Sequence, residues 1–457
     1  MLGVAMNHPI RLPILFCLLP AACAGPLLEE GLEEERAEPM VLDDDGSWCW
    51  FQEERALIVG GKLLVGSVSS GHLNPDRRGD INLLVHDVAQ GTTLCVELHD
   101  RLELDDHDIP GLAAFSDGGV IAVYARHGTD YLVRVRTSQA VDGFEHWSDE
   151  LEFEQRMDQG HGVTYSNVFL LEDEGDSSGR LYDFYRGDGW DPNAITSDDR
   201  GQTWSEPRRL LAGPGRPYVR YASNGRDRID FVCTDQHPRD ADNSIYHGFL
   251  RDGRIHNSSG EGIGKLGDEP VRTEGLTRLF QGDADNVAWV SDVVVDGEGR
   301  PHVVFSVQKD GGGVPRGKGG LDHRYHWARW DGQSWQQHEL AFAGRRLYAG
   351  EDDYTGLIAL DPADPTRVFL STDADPATGE ALVSASDGRR HYEIFEARTT
   401  DSGLSWSFRA ITRDSSADNL RPIVPEPEGG QAFLLWLRGS YSTYTKFAQE
   451  VIALRLH

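Results

Sequence analysis

The chain has 457 residues, of which 39% are hydrophobic, with 51 glycines and 21 prolines. Its formal net charge is −31 at pH 7, which argues against a nucleic-acid partner because phosphate binding needs a basic surface. No long segment follows the 3.6-residue period of an amphipathic helix, whereas short apolar stretches bounded by turn residues recur throughout. The composition therefore predicts an all-β protein with a hydrated acidic surface.

The N-terminal segment has the features of an export signal. Arg11 precedes the apolar run 12–22, which is too short to span a bilayer, and Ala22-Cys23-Ala24 gives a small-x-small cleavage pattern. We therefore expect a signal peptide over residues 1–24 and a secreted protein, extracellular or periplasmic. The alternative is lipidation of Cys23, which would make an outer-membrane lipoprotein; otherwise we expect no membrane association. The acidic segment 25–45 predicts a flexible leader.

Seven short turns then open onto strands in which apolar residues alternate with small or polar ones. These segments are 61–65, 118–123, 179–184, 226–232, 299–305, 365–370 and 429–435. Their spacing matches four-stranded blades with variable loops. We predict one monomeric seven-bladed β-propeller over residues 46–457, closed by strands from both chain ends because an open ring would expose a sheet edge. Function is then expected in a cleft near the ring axis, built by loops from several blades.

Two turns match the Asp-box pattern Ser-x-Asp-x-Gly-x-Thr-Trp. They lie at 196–204 and 400–406, and a degenerate third copy lies at 331–335. In this motif aspartate caps backbone N–H groups, glycine takes a positive φ, and tryptophan packs between blade sheets. Because the motif is typical of propeller blades and carries no chemistry, we expect Asp198 and Asp401 to be structural.

Polar clusters occur at strand ends in consecutive predicted blades. They are Asp105-Asp106-His107-Asp108-Ile109-Pro110, Arg126-His127-Gly128, Thr164-Tyr165-Ser166-Asn167, Tyr182-Asp183-Phe184-Tyr185-Arg186 and Pro217-Tyr218-Val219-Arg220-Tyr221. Each histidine or tyrosine taken alone is more simply explained as a structural residue. Their combination in successive blades indicates a polar cleft with proton-transfer chemistry.

The order and spacing of these motifs resemble the ulvan lyases, β-propeller polysaccharide lyases of the Asp-box group that cleave a sulfated rhamnose–uronate polymer of green algae. The resemblance includes His-Pro at 237–238 and Ile-Tyr-His at 245–247, and it spans about residues 46–450. It implies an anionic polysaccharide substrate, cleavage by β-elimination and no cofactor in the chemistry. Such a reaction removes the C5 proton of a uronate and expels the 4-O-linked sugar.

The chemistry of β-elimination needs three kinds of group. The uronate carboxylate must be neutralised, which arginine does well because its fork fits a carboxylate bidentately. A base must then reach C5, and an acid must protonate the leaving oxygen. By resemblance, Arg186 neutralises the carboxylate, Tyr165 acts as base or acid, His107 is a second proton-transfer residue, and His127 orients the site or binds substrate. As a base, Tyr165 would need its pKa lowered from about 10 by a nearby guanidinium. The further expected substrate contacts are Arg220, Tyr221 and Tyr246.

A metal site is a separate hypothesis. Cys233, Asp235, His237 and His247 lie within fifteen residues, and a strand–loop–strand hairpin could bring them together around a structural zinc ion. The spacing is not standard for zinc, and packing without metal is the alternative. Disulfides are not expected to organise the fold, because three cysteines follow the signal; a Cys49–Cys95 bridge and two buried thiols remain alternatives.

Two other functional classes stay open from the sequence. The Asp-boxes alone would suggest an exo-glycosidase of the sialidase type, in which Arg186, Arg220 and Arg421 would surround a carboxylate. That assignment leaves His107 and His127 without a role. A non-catalytic propeller that binds carbohydrate in the same cleft is the third class.

Overall fold

The computed structural model describes residues 38–139, 141, 143–156, 161–176 and 178–456. The predicted signal peptide, Cys23 and the leader up to residue 37 lie outside these residues. The described chain is almost entirely β, and its 3-10 helical turns are Pro75–Arg77, Asp106–Asp108, Asp188–Trp190 and Thr273–Gly275. Across the described ranges, no helix has the length and apolar character required to cross a membrane.

Thirty strands of the described residues form seven antiparallel sheets, one for each blade. After strand β1 (Met40–Asp43), blade 1 consists of β2 (Ala56–Val59), β3 (Lys62–Val68), β4 (Ile81–Asp87) and β5 (Thr92–His99). Blade 2 consists of β6 (Gly111–Ala114), β7 (Val120–Tyr124), β8 (Leu132–Ser138) and β9 (Leu151–Glu154). Blade 3 consists of β10 (Thr164–Asp176), β11 (Gly179–Arg186), β12 (Pro192–Ser197) and β13 (Arg208–Arg209).

Blade 4 is larger than the others, with β14 (Val219–Ser223), β15 (Ile229–Thr234), β16 (Ile245–Arg251), β17 (Arg254–Asn257), β18 (Gly262–Lys265) and β19 (Thr277–Phe280). Blade 5 consists of β20 (Val287–Val295), β21 (Pro301–Gln308), β22 (His323–Trp330) and β23 (Trp335–Gly344). Blade 6 consists of β24 (Ile358–Leu360), β25 (Arg367–Thr372), β26 (Glu393–Arg398) and β27 (Ser407–Ala410). Blade 7 contains β28 (Asp418–Ile423), β29 (Phe433–Thr443) and β30 (Lys446–Arg455), with β1 as its fourth strand. The predicted seven-bladed β-propeller is therefore confirmed.

The ring closes by pairing the two ends of the described chain. Strand β1 runs antiparallel to β30, with Met40 opposite Ala453 and Val41 opposite Ile452. The predicted closure is confirmed, but the flexible leader was predicted to extend too far, to residue 45. Residues 40–43 are a strand, and the buried carboxylate of Asp45 accepts hydrogen bonds from Ser70 and from Gly71 N–H. Acidic composition suggested disorder there, whereas pairing with the last strand orders the segment.

The two Asp-box segments form turns with the same hydrogen bonds. Thr203 donates from its backbone N–H and its hydroxyl to Asp199, at 2.8 and 2.6 Å. Ser405 donates in the same way to Asp401, at 2.9 and 2.6 Å. The capping carboxylate of the first turn is thus Asp199; Asp198, assigned to this role from the sequence, instead forms a surface ion pair with a neighbouring strand. The alignment of the motif was shifted by one residue.

Segment 47–55 crosses the ring axis and fills the space between the blades. It is buried apart from the half-buried Glu54, and its backbone bonds to residues of several blades. Cys49 N–H donates to the Asp106 carbonyl, and Val168 N–H donates to the Glu53 carbonyl. Trp50 and Phe51 pack within an aromatic cluster with residues of blades 3 to 6. This segment forms the floor beneath the cleft described below.

Neither alternative predicted for Cys49 and Cys95, a disulfide bridge or two buried thiols, is correct. Cys49 is buried in the axial segment, Cys95 is exposed on an outer strand, and both are free thiols in the described residues.

Deletion of β1 should weaken the ring. A variant that begins at residue 46 loses the β1–β30 pairing and the Asp45 hydrogen bonds, which we expect to cost a few kcal/mol and to lower the Tm by about 3 °C or more. Differential scanning calorimetry would measure this against a control that begins at residue 38. Equal Tm values for the two truncations would show that closure by β1 contributes nothing to stability.

Candidate active site

Four residues predicted to be catalytic meet at one end of the ring axis. His107 lies in the Asp106–Asp108 turn between blades 1 and 2, and His127 follows β7 of blade 2. Tyr165 lies near the start of β10, and Arg186 ends β11 beside it in blade 3. The two imidazole rings stack with centroids 3.8 Å apart, and the Tyr165 ring lies 5.1 Å from that of His107.

A buried carboxylate holds the two imidazoles. His107 Nδ1–H donates to Asp105 Oδ1 at 2.6 Å, and His127 Nδ1–H donates to Asp105 Oδ2 at 2.8 Å. Asp105 is 2% exposed, and the His107 backbone N–H also donates to it. Because each imidazole uses Nδ1 for this contact, the carboxylate sets the tautomer of neutral His127 and leaves its Nε2 as the acceptor nitrogen.

The same arrangement separates the protonation states of the two histidines. Burial and the neighbouring His107 cation lower the pKa of His127 to about 4. Burial also disfavours the cation of His107, but the ionisable groups beside that ring, Cys49 and Tyr165 first and then Asp105, outweigh burial and hold its pKa well above the usual range. At neutral pH the pair therefore contains one imidazolium, His107, and one neutral imidazole, His127.

Tyr165 is held in a strained backbone conformation. Its φ is +70°, in the left-handed region that bulky residues avoid, at a register shift where Thr164 pairs with Arg186 but Asn167 pairs with Phe184. The Asn167 N–H at this shift donates to the buried carboxylate of Asp183 at 3.0 Å. The local structure thus stabilises a conformation that turns the phenol toward the cleft, as strained residues at functional sites often require.

The expected lowering of the Tyr165 pKa does not occur. Burial raises the pKa of this phenol above its usual value, although Arg186 and His107 act to lower it. Tyr165 is therefore a neutral phenol at physiological pH, suited to donate a proton.

Arg186 connects the groups of the cleft. Its Nη2–H donates to His127 Nε2 at 3.2 Å, and its Nη1–H contacts the hydroxyls of Tyr165 at 3.5 Å and Tyr218 at 3.3 Å. The guanidinium also lies over the ring of Trp190, 5.1 Å from its centroid. Because these partners are all neutral, the positive charge of Arg186 is not compensated, and a carboxylate could replace them at its forked N–H groups.

Three cleft residues were not assigned from the sequence. Tyr218 lay in the recognised cluster 217–221, but the neighbouring Arg220 and Tyr221 were chosen instead. Trp190 follows Arg186 by four residues in a glycine-containing turn, and Tyr444 comes from the β29–β30 turn, with its ring edge-on to both histidines at 5.3 and 5.5 Å. Of these three residues, Tyr218 alone could have been found from the sequence, because it lies in a recognised strand-end cluster.

Of the three predicted further substrate contacts, Arg220 and Tyr246 lie outside the cleft, whereas Tyr221 lines the same cavity as Arg186 and Tyr218. Arg220 is buried in ion pairs with Glu53 and Asp292, and Tyr221 stacks on Phe184 at 4.5 Å in the core between blades 3 and 4. Tyr246 lies on the third strand of blade 4, opposite Cys233 and away from the axis. In the cluster 217–221, the tyrosine that bonds to Arg186 is Tyr218, which directly precedes β14, and not a residue on the strand itself.

The predicted metal ligands do not converge. His247 pairs across the sheet with Val232, so its side chain points to the opposite face from that of Cys233. His247 instead bonds to Asp230 and Ser258, and Asp235 accepts from Ser244 N–H. The remaining predicted ligand, His237, packs edge-on to Tyr218 at the cleft, and burial lowers its pKa to about 2. Within the described residues, these four side chains do not form a ligand group.

The arginines required by a sialidase-type site do not surround one position. Arg220 is sealed by its two carboxylates, as described above. Arg421 donates to Asp106 Oδ2 at 2.7 Å and to the Trp48 carbonyl, beneath the cleft. Of the three candidates, all within the described part of the chain, Arg186 is the one with donors at the cleft.

Comparison with known proteins places the chain in a family. The sequence profile described as "BNR repeat-containing family member" matches residues 49–343. The chain belongs to the BNR repeat-containing family. The matched region includes the whole of blades 1 to 5 apart from their last residue and every cleft residue except Tyr444. No curated protein sequence matches this BNR family chain at a significant level.

Solved structures share the architecture of this BNR family member. A polysaccharide lyase of family PL25, an ulvan lyase bound to -[GlcA(1-4)Rha3S]-, superposes with a TM-score of 0.65 at 14% identity, covering 90% of this chain and 94% of that one. A second structure of a PL25 ulvan lyase gives a TM-score of 0.65 at 13% identity, covering 91% of this chain and 95% of that one. The polysaccharide lyase Uly1 gives 0.55 at 11% identity, covering 94% of each chain. The resemblance to ulvan lyases is thus confirmed at the level of the fold.

The charge states of the two histidines can be measured directly. In an NMR pH titration, we expect His127 to gain its second proton only as the pH falls through about 4, because burial and the His107 cation oppose its charge. His107 should stay doubly protonated through neutrality. Titration of both cleft histidines near 6.5 would contradict the assigned charge separation.

Proposed function

We propose that the protein is a polysaccharide lyase that cleaves a uronate-containing sulfated polymer, ulvan or a close relative, by β-elimination. The observation that carries this proposal is the position of Arg186. Its guanidinium, which can neutralise a carboxylate, is in direct contact with a neutral imidazole, His127, and with a protonated phenol, Tyr165. These are the three groups that elimination from a uronate requires.

The proposed mechanism begins with the carboxylate. A uronate that binds the Arg186 fork competes for the Nη2–H now donated to His127, which releases the Nε2 lone pair. Charge neutralisation at the carboxylate makes C5–H more acidic, and His127 Nε2 accepts that proton. The electrons of the C5–H bond form the C4=C5 double bond as the C4–O bond breaks. Tyr165 donates its phenolic proton to the leaving oxygen.

The other cleft groups support these transfers. The His107 imidazolium and the Arg186 guanidinium both lie beside Tyr165 and stabilise the phenolate that remains after proton donation. The proton accepted by His127 must then return to Tyr165, directly or through solvent. Asp105 stays ionised throughout, because its two imidazole donors hold its pKa well below the usual range in spite of burial.

The geometry favours a lyase over a hydrolase. Most glycoside hydrolases need two carboxyl groups that flank the scissile bond, and sialidases need a tyrosine nucleophile together with a carboxylic acid. In the described cleft, Asp105 accepts hydrogen bonds from both histidines. Asp106 accepts hydrogen bonds from Arg421 and Tyr441 below the cleft. Neither carboxylate is available as a nucleophile or acid at the position where the Arg186 fork would hold a sugar.

The product distinguishes the three functional classes. Incubation with ulvan should generate the ultraviolet absorbance of a C4=C5 unsaturated uronate together with new reducing ends. A hydrolase would produce reducing ends without that absorbance, and a binding protein would produce neither. Either of the latter outcomes would contradict the proposal.

Substitutions at Tyr165 and Arg186 test their roles. Tyr165→Phe keeps the ring but removes the transferable proton, so we expect kcat to fall by about 100-fold or more with little change in KM. Arg186→Lys keeps the charge but loses the fork, and we expect a similar loss in kcat/KM. Tyr246→Phe is the matched control and should retain wild-type rates, because Tyr246 lies away from the cleft. Near-normal turnover in both cleft variants would refute the assigned roles.

A further inference from the structure

A second guanidinium stands beside the proposed carboxylate-binding arginine. Arg216, in the loop between β13 and β14, lies over the ring of Trp190 at 5.3 Å from its centroid. Arg186 lies over the same ring at 5.1 Å. One indole therefore contacts two cations, which places both guanidiniums beside the same ring at the edge of the cleft.

Arg216 is weakly neutralised for a residue of so acidic a protein. Its ion pair is a long contact of 3.8 Å to Asp240, a carboxylate already bound by Arg239 at 3.0 Å through both of its oxygens. Arg239 is further paired with Glu351 at 3.0 Å. Of these neighbouring arginines in the described chain, Arg216 thus keeps the most unused donor capacity, with its side chain about a quarter exposed.

The indole ring of Trp190, which both guanidiniums contact, is itself held in place. Trp190 has a φ of +68°, is 36% exposed at the cleft edge, and packs against His161 with ring centroids 4.3 Å apart. A left-handed conformation costs an aromatic residue backbone energy, and strain of this kind is typical of residues in binding sites.

We propose that Arg216 and Trp190 form an anion subsite next to Arg186, which binds a sulfate ester on the sugar adjacent to the uronate. This inference rests on the proposed function, because it assumes that Arg186 binds the uronate carboxylate. The fork of Arg216 suits a sulfate ester, since two N–H groups can donate to two of its oxygens. The enzyme would thereby recognise a carboxylate and a sulfate on neighbouring sugars.

The test compares Arg216→Gln with a charge-matched control on two polymers. The control is Arg226→Gln, which removes an exposed arginine paired with Asp173. Residue 226 lies in the turn after β14, at the other end of that strand from Arg216 and the cleft. The substrates are ulvan and the same polymer after chemical desulfation, with turnover followed as unsaturated uronate and binding followed by affinity electrophoresis.

We expect Arg216→Gln to raise KM for ulvan by about tenfold, as the loss of a charge-assisted contact does, with kcat little changed. On the desulfated polymer the variant and the wild type should behave alike, and Arg226→Gln should match the wild type on both. An equal KM increase on both polymers, or no increase on either, would overturn the sulfate subsite. If the wild type forms no unsaturated product, the proposed function fails. In that case the binding measurement still tests the subsite. If it exists, Arg216→Gln should be retarded less than the wild type by ulvan but equally by the desulfated polymer.

Discussion

The arrangement of the cleft depends on closure of the ring. Pairing of β1 with β30 brings blade 7 against blade 1, and the inner strand of blade 7 carries Arg421. Arg421 then reaches Asp106 at 2.7 Å, in an ion pair that is buried on both sides and lies directly beside His107 in the chain. A buried ion pair of this kind contributes little net stability but strongly disfavours any arrangement that separates its partners. Closure and the position of His107 are thus physically coupled.

The axial segment 47–55 is the second consequence of closure. Seven inner strands leave a space at the axis, and this segment fills it with aromatic side chains while its backbone bonds to neighbouring blades. The cleft therefore has a floor of buried aromatic side chains under Tyr165 and Tyr218. Burial on that floor explains why the pKa of Tyr165 rises even though two cations lie beside it. It also makes the interactions of Arg186 stronger than they would be in water.

The cleft resolves a conflict between overall and local charge. A protein of net charge −31 repels an anionic polymer at long range, unless salt screens the repulsion. Around Trp190, however, Arg186 and Arg216 provide positive charge that no carboxylate among the described residues fully neutralises. Asp105 and Asp106 do not cancel this charge, because their own partners enclose them. Recognition is expected to act at short range, through oriented forks, rather than through the general field of the protein.

Sequence alone was sufficient for the features that local pattern controls. Seven alternating strands predicted seven blades, and the motifs around His107, His127, Tyr165 and Arg186 identified the residues that the structure brings together. Sequence alone was insufficient wherever the direction of a side chain depended on strand register. Arg220 lies in a recognised strand-end cluster and Cys233 directly after a predicted strand, yet the face that each side chain occupies followed from the strand pairings and blade contacts of the folded ring.

The sequence by itself determined the fold class, because alternation and turn chemistry are local properties of the chain, and its resemblance to the ulvan lyases identified four of the cleft residues. Tertiary structure alone decided that one carboxylate, Asp105, holds two imidazoles in different charge states, since their pKa values depend on burial and on a neighbour from another blade. It also decided that residues 40–43 close the ring rather than form a leader. Their partner strand lies at the other end of the chain, and no local pattern encodes a contact over that distance.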